Sequence, residues 1–235
     1  MKRTTLLVAA LFACGVFAGT AAADPVFLSN SFYNPALLLP PPPADGSPEA
    51  RAEMDELHRI QKNRTPEEFA RALADDHDET VTAFAGVMGP GFDLTALPKT
   101  AQLFADVKAE EKSAAKLAKN FFRRNRPWIV DPSLKSCAQT DAPQSSYPSG
   151  HATMAYSAAV ILAALAPEKG QAIMARAADY SENRLVCGMH YRRDIVAGEV
   201  LGTTVAVELL QTPGFKEEFD AAEDELRATH VVTAP

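Results

Sequence analysis

Cysteine is scarce in this chain of 235 residues. Only three are present and none lies in a C-x-x-C pair, which excludes both a disulfide-stapled miniprotein and a structural zinc site of the ribbon or finger kind. Basic charge is also in short supply. The 23 Lys and Arg stand against 30 Asp and Glu, a formal net charge of −7, the wrong sign for a surface that holds a nucleic-acid scaffold by neutralising its phosphates. Apolar runs long enough to span a bilayer are missing past the N-terminus. The most apolar segment, Ala152 to Ala166, falls short of the ~20 residues a span needs, contains Thr153, Tyr156 and Ser157, and stops at Pro167; it reads as a buried core helix. No internal repeat and no stretch of alternating β-branched residues is visible, which argues against sheet folds. What is present, 47% hydrophobic and 23% charged residues, is ordinary globular composition with enough chain for a sizeable core.

Residues 1–23 read as an export signal. Lys2 and Arg3 form the basic region, Leu6 to Phe17 the apolar region, and Ala21 and Ala23 an A-x-A site, so cleavage after Ala23 is predicted, with no transmembrane span in the mature chain. A lipoprotein signal ending at Cys14 is the competing reading, opposed by the bulky Phe12. Cys137 and Cys187 remain after cleavage. In an oxidising compartment they either pair or stay two small buried hydrophobes, and spacing alone decides neither.

Residues 24–47 form a proline-rich arm. Pro40 to Pro43 cannot be helical, because each lacks the N–H and disfavours the α region for the residue before it, while Phe27, Phe32, Tyr33 and Leu37 to Leu39 want burial against the domain. From residue 48 to 235 the pattern is helical. Ser47-Pro48-Glu49 and Thr65-Pro66-Glu67-Glu68 each supply an N-cap, a proline at the first helical position and acidic residues for the positive end of the helix dipole. Further helices are predicted over Leu97 to Arg126, ended by Pro127, then Ala152 to Ala166, Pro167 to Arg184, His190 to Leu210 and Phe215 to His230, with Asp131 to Pro148 a loop. The fold class is all-α, a single-domain helical bundle.

Three short segments hold what a phosphoryl group demands. In Lys119-x6-Arg126-Pro127, residues seven apart lie two turns along one helical face, so both cations can address one point; a solvated basic face is the plain alternative. In Pro148-Ser149-Gly150-His151, a Ser-Gly pair opening a helix offers backbone N–H donors and a hydroxyl to an anion, with His151 at its edge. In Arg184-x5-His190-x3-Asp194, a helix starting near His190 would let the Asp194 carboxylate accept from one ring nitrogen and leave the other unprotonated.

K-x6-R-P, P-S-G-H and R-x5-H-x3-D in this order resemble the superfamily of type 2 phosphatidic acid phosphatases, bacterial class A nonspecific acid phosphatases and vanadium haloperoxidases. The arm Leu39 to Pro43, Tyr147 before P-S-G-H and Val186-Cys187-Gly188 before His190 look like the class A acid phosphatases specifically. The resemblance implies a periplasmic, metal-independent acid phosphatase that takes small-molecule phosphomonoesters and needs no cofactor, with a homodimer and an acidic optimum expected and transfer to alcohols left open beside hydrolysis. It makes His190 the nucleophile, Asp194 its orienting carboxylate and His151 the acid and base, while Lys119, Arg126, Ser149, Gly150 and Arg184 bind phosphate. Asn183 departs from the family's usual serine and Tyr191 from its frequent tryptophan. The alternatives are a vanadate-dependent haloperoxidase, with His190 as metal ligand, and a non-catalytic phosphate-binding module, which would have no use for two histidines and Asp194.

Overall fold

A computed structural model describes residues 26–29 and 32–233. The signal read in residues 1–23 lies outside them. Among the described residues every regular element is helical. Helix α1 (Pro35–Leu38) is a single turn within the arm, so the arm is not wholly irregular. It is followed by α2 (Pro48–Asn63), capped by Ser47, and α3 (Pro66–His77), opened by a capping box in which Thr65 and Glu68 bond each other's backbone. After α4 (Ala85–Met88) comes α5 (Pro98–Phe122). It stops short of the predicted Arg126 because Arg123 turns left-handed at φ 51°, and Pro127 starts the short α6 (Pro127–Val130) rather than ending α5. Then follow α7 (Gly150–Leu165), α8 (Gly170–Val186), α9 (Arg192–Gln211) and α10 (Pro213–Ala228). Thus α9 begins two residues after His190.

Helix α7 is apolar around nearly its whole circumference and so becomes the centre of the bundle, packed on α5, α8 and α9. No single helix among the described residues is long and apolar enough to cross a membrane. The closest approach is between α7 and α9. A Cβ on Gly198 would stand 2.6 Å from the Ser149 carbonyl oxygen, and one on Gly202 would stand 2.3 Å from that of Thr153, so only hydrogen fits at either position. This contact seats the N-terminus of α7 directly beside the first turn of α9.

Two further features tie the chain to the bundle. The Glu110 carboxylate, buried on α5, accepts from the backbone N–H groups of Val26, Phe27 and Leu28 (2.7, 2.6 and 3.2 Å) and from the Tyr33 hydroxyl (2.9 Å), which fastens the arm down. Cys137 and Cys187 are disulfide-bonded, with Cα atoms 5.0 Å apart. That bond joins the loop before α7 to the loop before α9.

Candidate active site

The residues singled out from the sequence converge at the N-terminal end of α7. Ser149 caps that helix, its Oγ accepting from Ala152 N (3.3 Å) and its own N–H donating to the Asp194 carbonyl (2.9 Å). The N–H groups of Gly150 and His151 belong to the first turn and find no carbonyl within their own helix. Lys119 reaches this turn from the last coil of α5, its Nζ 3.3 Å from where a Gly150 Cβ would sit; a side chain there would crowd the ammonium. Arg126 arrives differently from the sequence expectation. It lies beyond the end of α5, in an extended stretch before α6, so its convergence with Lys119 comes from the turn at Arg123 and not from a shared helical face.

His190 is buried, and its hydrogen bonds define a tautomer. Nδ1 lies 2.8 Å from the Ser146 carbonyl, which can only accept, so Nδ1 carries the proton. Nε2 lies 2.9 Å from Arg126 Nη1, which can only donate, so Nε2 presents its lone pair. Asp194 stands 3.5 Å from Nδ1, farther than the carbonyl. The i, i+4 pair is present at 3.5 Å, but His190 precedes α9 and the carbonyl of Ser146, not the carboxylate, takes the Nδ1 hydrogen bond. Asp194 instead ties the neighbourhood together, accepting from Ser146 Oγ (2.6 Å), Tyr191 N (2.9 Å) and Arg124 Nη1 (2.6 Å). Burial, then the charges of Arg126, Arg184 and Lys119, hold the His190 imidazole well below its usual range. Burial raises the Asp194 carboxyl even though Arg124 and three donated hydrogen bonds oppose the shift.

Opposing charge surrounds each cation. Arg126 Nη2 pairs with Asp141 at 2.8 Å, and Arg184 Nη2 with Asp76 at 2.6 Å. Arg184 Nε and Nη1 are buried with no hydrogen-bond partner among the described residues, an unmet demand for acceptors at the centre of the site. Burial and then Arg126 bring the Lys119 ammonium down to about 8. His151 leans on Tyr180, with ring centroids 5.9 Å apart, and its Nε2 lies 3.2 Å from the Asp76 carbonyl. Its Nδ1 is 3.5 Å from Glu79 Oε1, too long for a hydrogen bond and so open to an incoming group. Burial, then Arg184, keep this ring also well below its usual range. What such a place can hold is an oxyanion, set between the Nε2 lone pair of one imidazole and a second imidazole.

A comparison with protein families matches residues 109–217 to the PAP2 superfamily. An acid phosphatase of Zymomonas mobilis is 32% identical over 219 residues, covering 90% of this chain and 82% of that protein. The chain belongs to the PAP2 superfamily. Two further relatives are non-specific acid phosphatases. The one from Providencia stuartii is 28% identical, covering 86% of this chain and 85% of its own, and that from Salmonella typhi is 25% identical, covering 89% and 87%. A solved transmembrane PAP2-type phosphatidylglycerolphosphate phosphatase from Bacillus subtilis superposes with a TM-score of 0.49 at 18% identity, over 74% of this chain and 89% of that one.

Several residues of this PAP2 site were not singled out from the sequence. Arg124, which belongs to none of the three motifs, is buried. It bridges Asp194 and Glu53 on α2 (2.6 and 2.5 Å) and stacks on Tyr191 with its guanidinium carbon 4.0 Å from the ring centre. Asp194 and Glu53 outweigh the burial that would otherwise lower it, and raise this guanidinium further. Asp76 and Glu79 come from the end of α3 and the loop after it, far away in sequence, and Asp141 from the loop before α7; no local pattern marks them. Asn183 turns out to donate to Asp75 (2.7 Å) beside Arg176, a contact outside the phosphate cradle.

Proposed function

We propose that this phosphatase hydrolyses small-molecule phosphomonoesters in two steps through a phosphohistidine at His190 Nε2. The observation that carries the reading is the defined tautomer of His190. A carbonyl holds the proton on Nδ1 while Nε2 turns its lone pair toward Arg126, in a site where Arg184 keeps two N–H groups unsatisfied. A phosphoryl group entering there takes acceptor positions from Arg126, Arg184, Lys119 and the first turn of α7, with the Ser149 hydroxyl alongside. Charge on its equatorial oxygens meets fixed cations, so no metal is needed for neutralisation.

Nε2 attacks phosphorus as the bond to the leaving oxygen breaks. His151 Nδ1, protonated once the phosphoryl charge offsets the cations beside it, gives its proton to that oxygen. Asp194 stabilises the positive phosphohistidine ring across 3.5 Å. Water then enters on the His151 side and loses a proton to it. Its oxygen bonds to phosphorus, the P–N bond breaks, and the lone pair returns to Nε2.

The mature protein begins at Asp24, carries residues 24–47 as an arm over a phosphatase domain of residues 48–235, works in the periplasm and pairs as a homodimer. The disulfide suits an oxidising compartment. Rapid acid-free quenching of enzyme turning over a 32P-labelled monoester should trap label on His190, unaffected by a chelator. His151→Ala should lose most rate on esters with poor leaving groups. Turnover by His190→Ala at the wild-type rate would overturn the assignment.

A further inference from the structure

Between α5 and α7 lies a cavity of about 180 Å³ whose walls include Leu94, Phe104, Val107 and Met154. Its size matches a single six-membered ring, since an engineered apolar cavity of ~150 Å³ holds benzene. One wall carries a polar anomaly. Glu111 is 1% exposed, and neither of its carboxyl oxygens has a hydrogen-bond partner among the described residues. The Ser157 hydroxyl on the same wall is already occupied, donating to the Met154 carbonyl (3.0 Å). A buried carboxyl without a partner is costly to keep and signals a missing ligand group. Burial, then the charge of Glu79, push the Glu111 carboxyl well up, against the opposing pull of Lys112, Lys119 and Lys108.

Two of its wall residues adjoin the surroundings of His151. Thr80, on its wall, follows Glu79, whose carboxylate faces His151 Nδ1; Met154 lies one turn along α7 from His151. We propose that this cavity receives the leaving group of the substrate, and that Glu111 selects phosphomonoesters of compact, one-ring alcohols carrying an amine or hydroxyl. The inference rests on the phosphatase reading above and names its substrate class. The chemistry follows from the wall: an apolar body gains by leaving water, and a hydrogen-bond donor satisfies the carboxyl that the chain leaves unpaired.

Methyl phosphate, benzyl phosphate and 4-(aminomethyl)benzyl phosphate test it, because their leaving alcohols are similar in basicity and differ in what they put into the cavity. Wild-type kcat/KM should rise about ten- to a hundredfold from methyl to benzyl, the range hydrophobic pockets provide, and about tenfold again with the amine. Ala158→Leu, which fills the cavity, should cut the benzyl-to-methyl ratio at least fivefold. Glu111→Leu should abolish the amine's advantage, and Glu111→Gln should keep part of it through the amide oxygen. Melting curves establish that each variant is folded. A second readout needs no turnover: benzylamine alone should raise the melting midpoint of wild type and of His190→Ala, and fail to do so in Glu111→Leu. Equal kcat/KM for methyl and benzyl phosphate in wild type, or an unchanged ratio in folded Ala158→Leu, overturns the proposal. Hydrolysis of none of the three esters, with the benzylamine shift intact, would instead overturn the phosphatase reading and leave the cavity standing.

Discussion

Replacing Gly202 by alanine probes the contact on which the site's geometry depends. The added methyl carbon would lie 2.3 Å from the Thr153 carbonyl oxygen and 2.9 Å from Ser157 N, both backbone atoms of α7 that no rotamer change can move. An ordinary contact begins near 3.4 Å, so α7 and α9 must part by about 1 Å. Overpacking of this kind costs about 1–3 kcal/mol, and the ~1 kcal/mol that alanine gains over glycine in a helix offsets it only in part. The net cost is up to about 2 kcal/mol, so at 2–4 °C per kcal/mol for a chain of this length the melting midpoint should drop by up to about 8 °C. Activity should suffer more. The displaced helix carries Ser149, Gly150 and His151, and its partner follows directly on His190, so a shift of about 1 Å between them can cost ~100-fold in rate. Circular dichroism melting and p-nitrophenyl phosphate hydrolysis read the two effects. Gly86→Ala, inside α4 where a Cβ would meet nothing within 4 Å, is the control: it should leave turnover unchanged and should not lower the melting midpoint. A Gly202→Ala enzyme that melts and turns over like wild type would refute the claim that this approach sets the site.

Three further outcomes follow from particular contacts. With the Lys119 ammonium at about 8 in the free enzyme, the lysine is charged below that pH and loses its charge above it, so kcat/KM should fall as pH rises through about 8; Lys119→Arg should move that limb upward, and a limb that stays put would assign it to another group. Arg124→Met strips a buried cation from both Glu53 and Asp194 and should cost about 3–5 kcal/mol in urea unfolding; full stability would mean the bridge holds nothing in place. Replacing Cys137 and Cys187 by serine opens a loop with a sequence separation of 50, worth about 4 kcal/mol on loop-closure entropy, and frees the segment bearing Asp141 and Ser146; an unchanged urea midpoint together with unchanged kcat would refute that role.

How much of this was legible depended on how local each determinant is. The caps at Ser47 and Thr65 are written in adjacent residues, and both appear where the sequence puts them. Helix α7 was readable because it is apolar on all sides, which only a central position tolerates. The end of α5 was not. Arg123 adopts a left-handed conformation without being glycine, and the first conventional breaker comes only at Pro127. The three motifs could be read in order because each is short. Which group orients His190 could not, since a backbone carbonyl leaves no trace in residue type. Arg124 looked like one more surface cation among Lys116, Arg123 and their neighbours; its burial depends on Glu53, 71 positions away. The pair Gly198-x3-Gly202 was a usable sign of close helix contact, and was passed over.

In the proposed reaction, the two side-chain nitrogens of Arg184 that have no partner among the described residues also bear on how it ends. Their demand is for oxygen acceptors, and orthophosphate offers these as well as any ester does. The cradle therefore cannot grip its reactant firmly and let go of the inorganic product easily. Departure of phosphate competes with the next encounter, and as product accumulates it restrains the enzyme that made it, a feedback inherent in the way one guanidinium is left waiting.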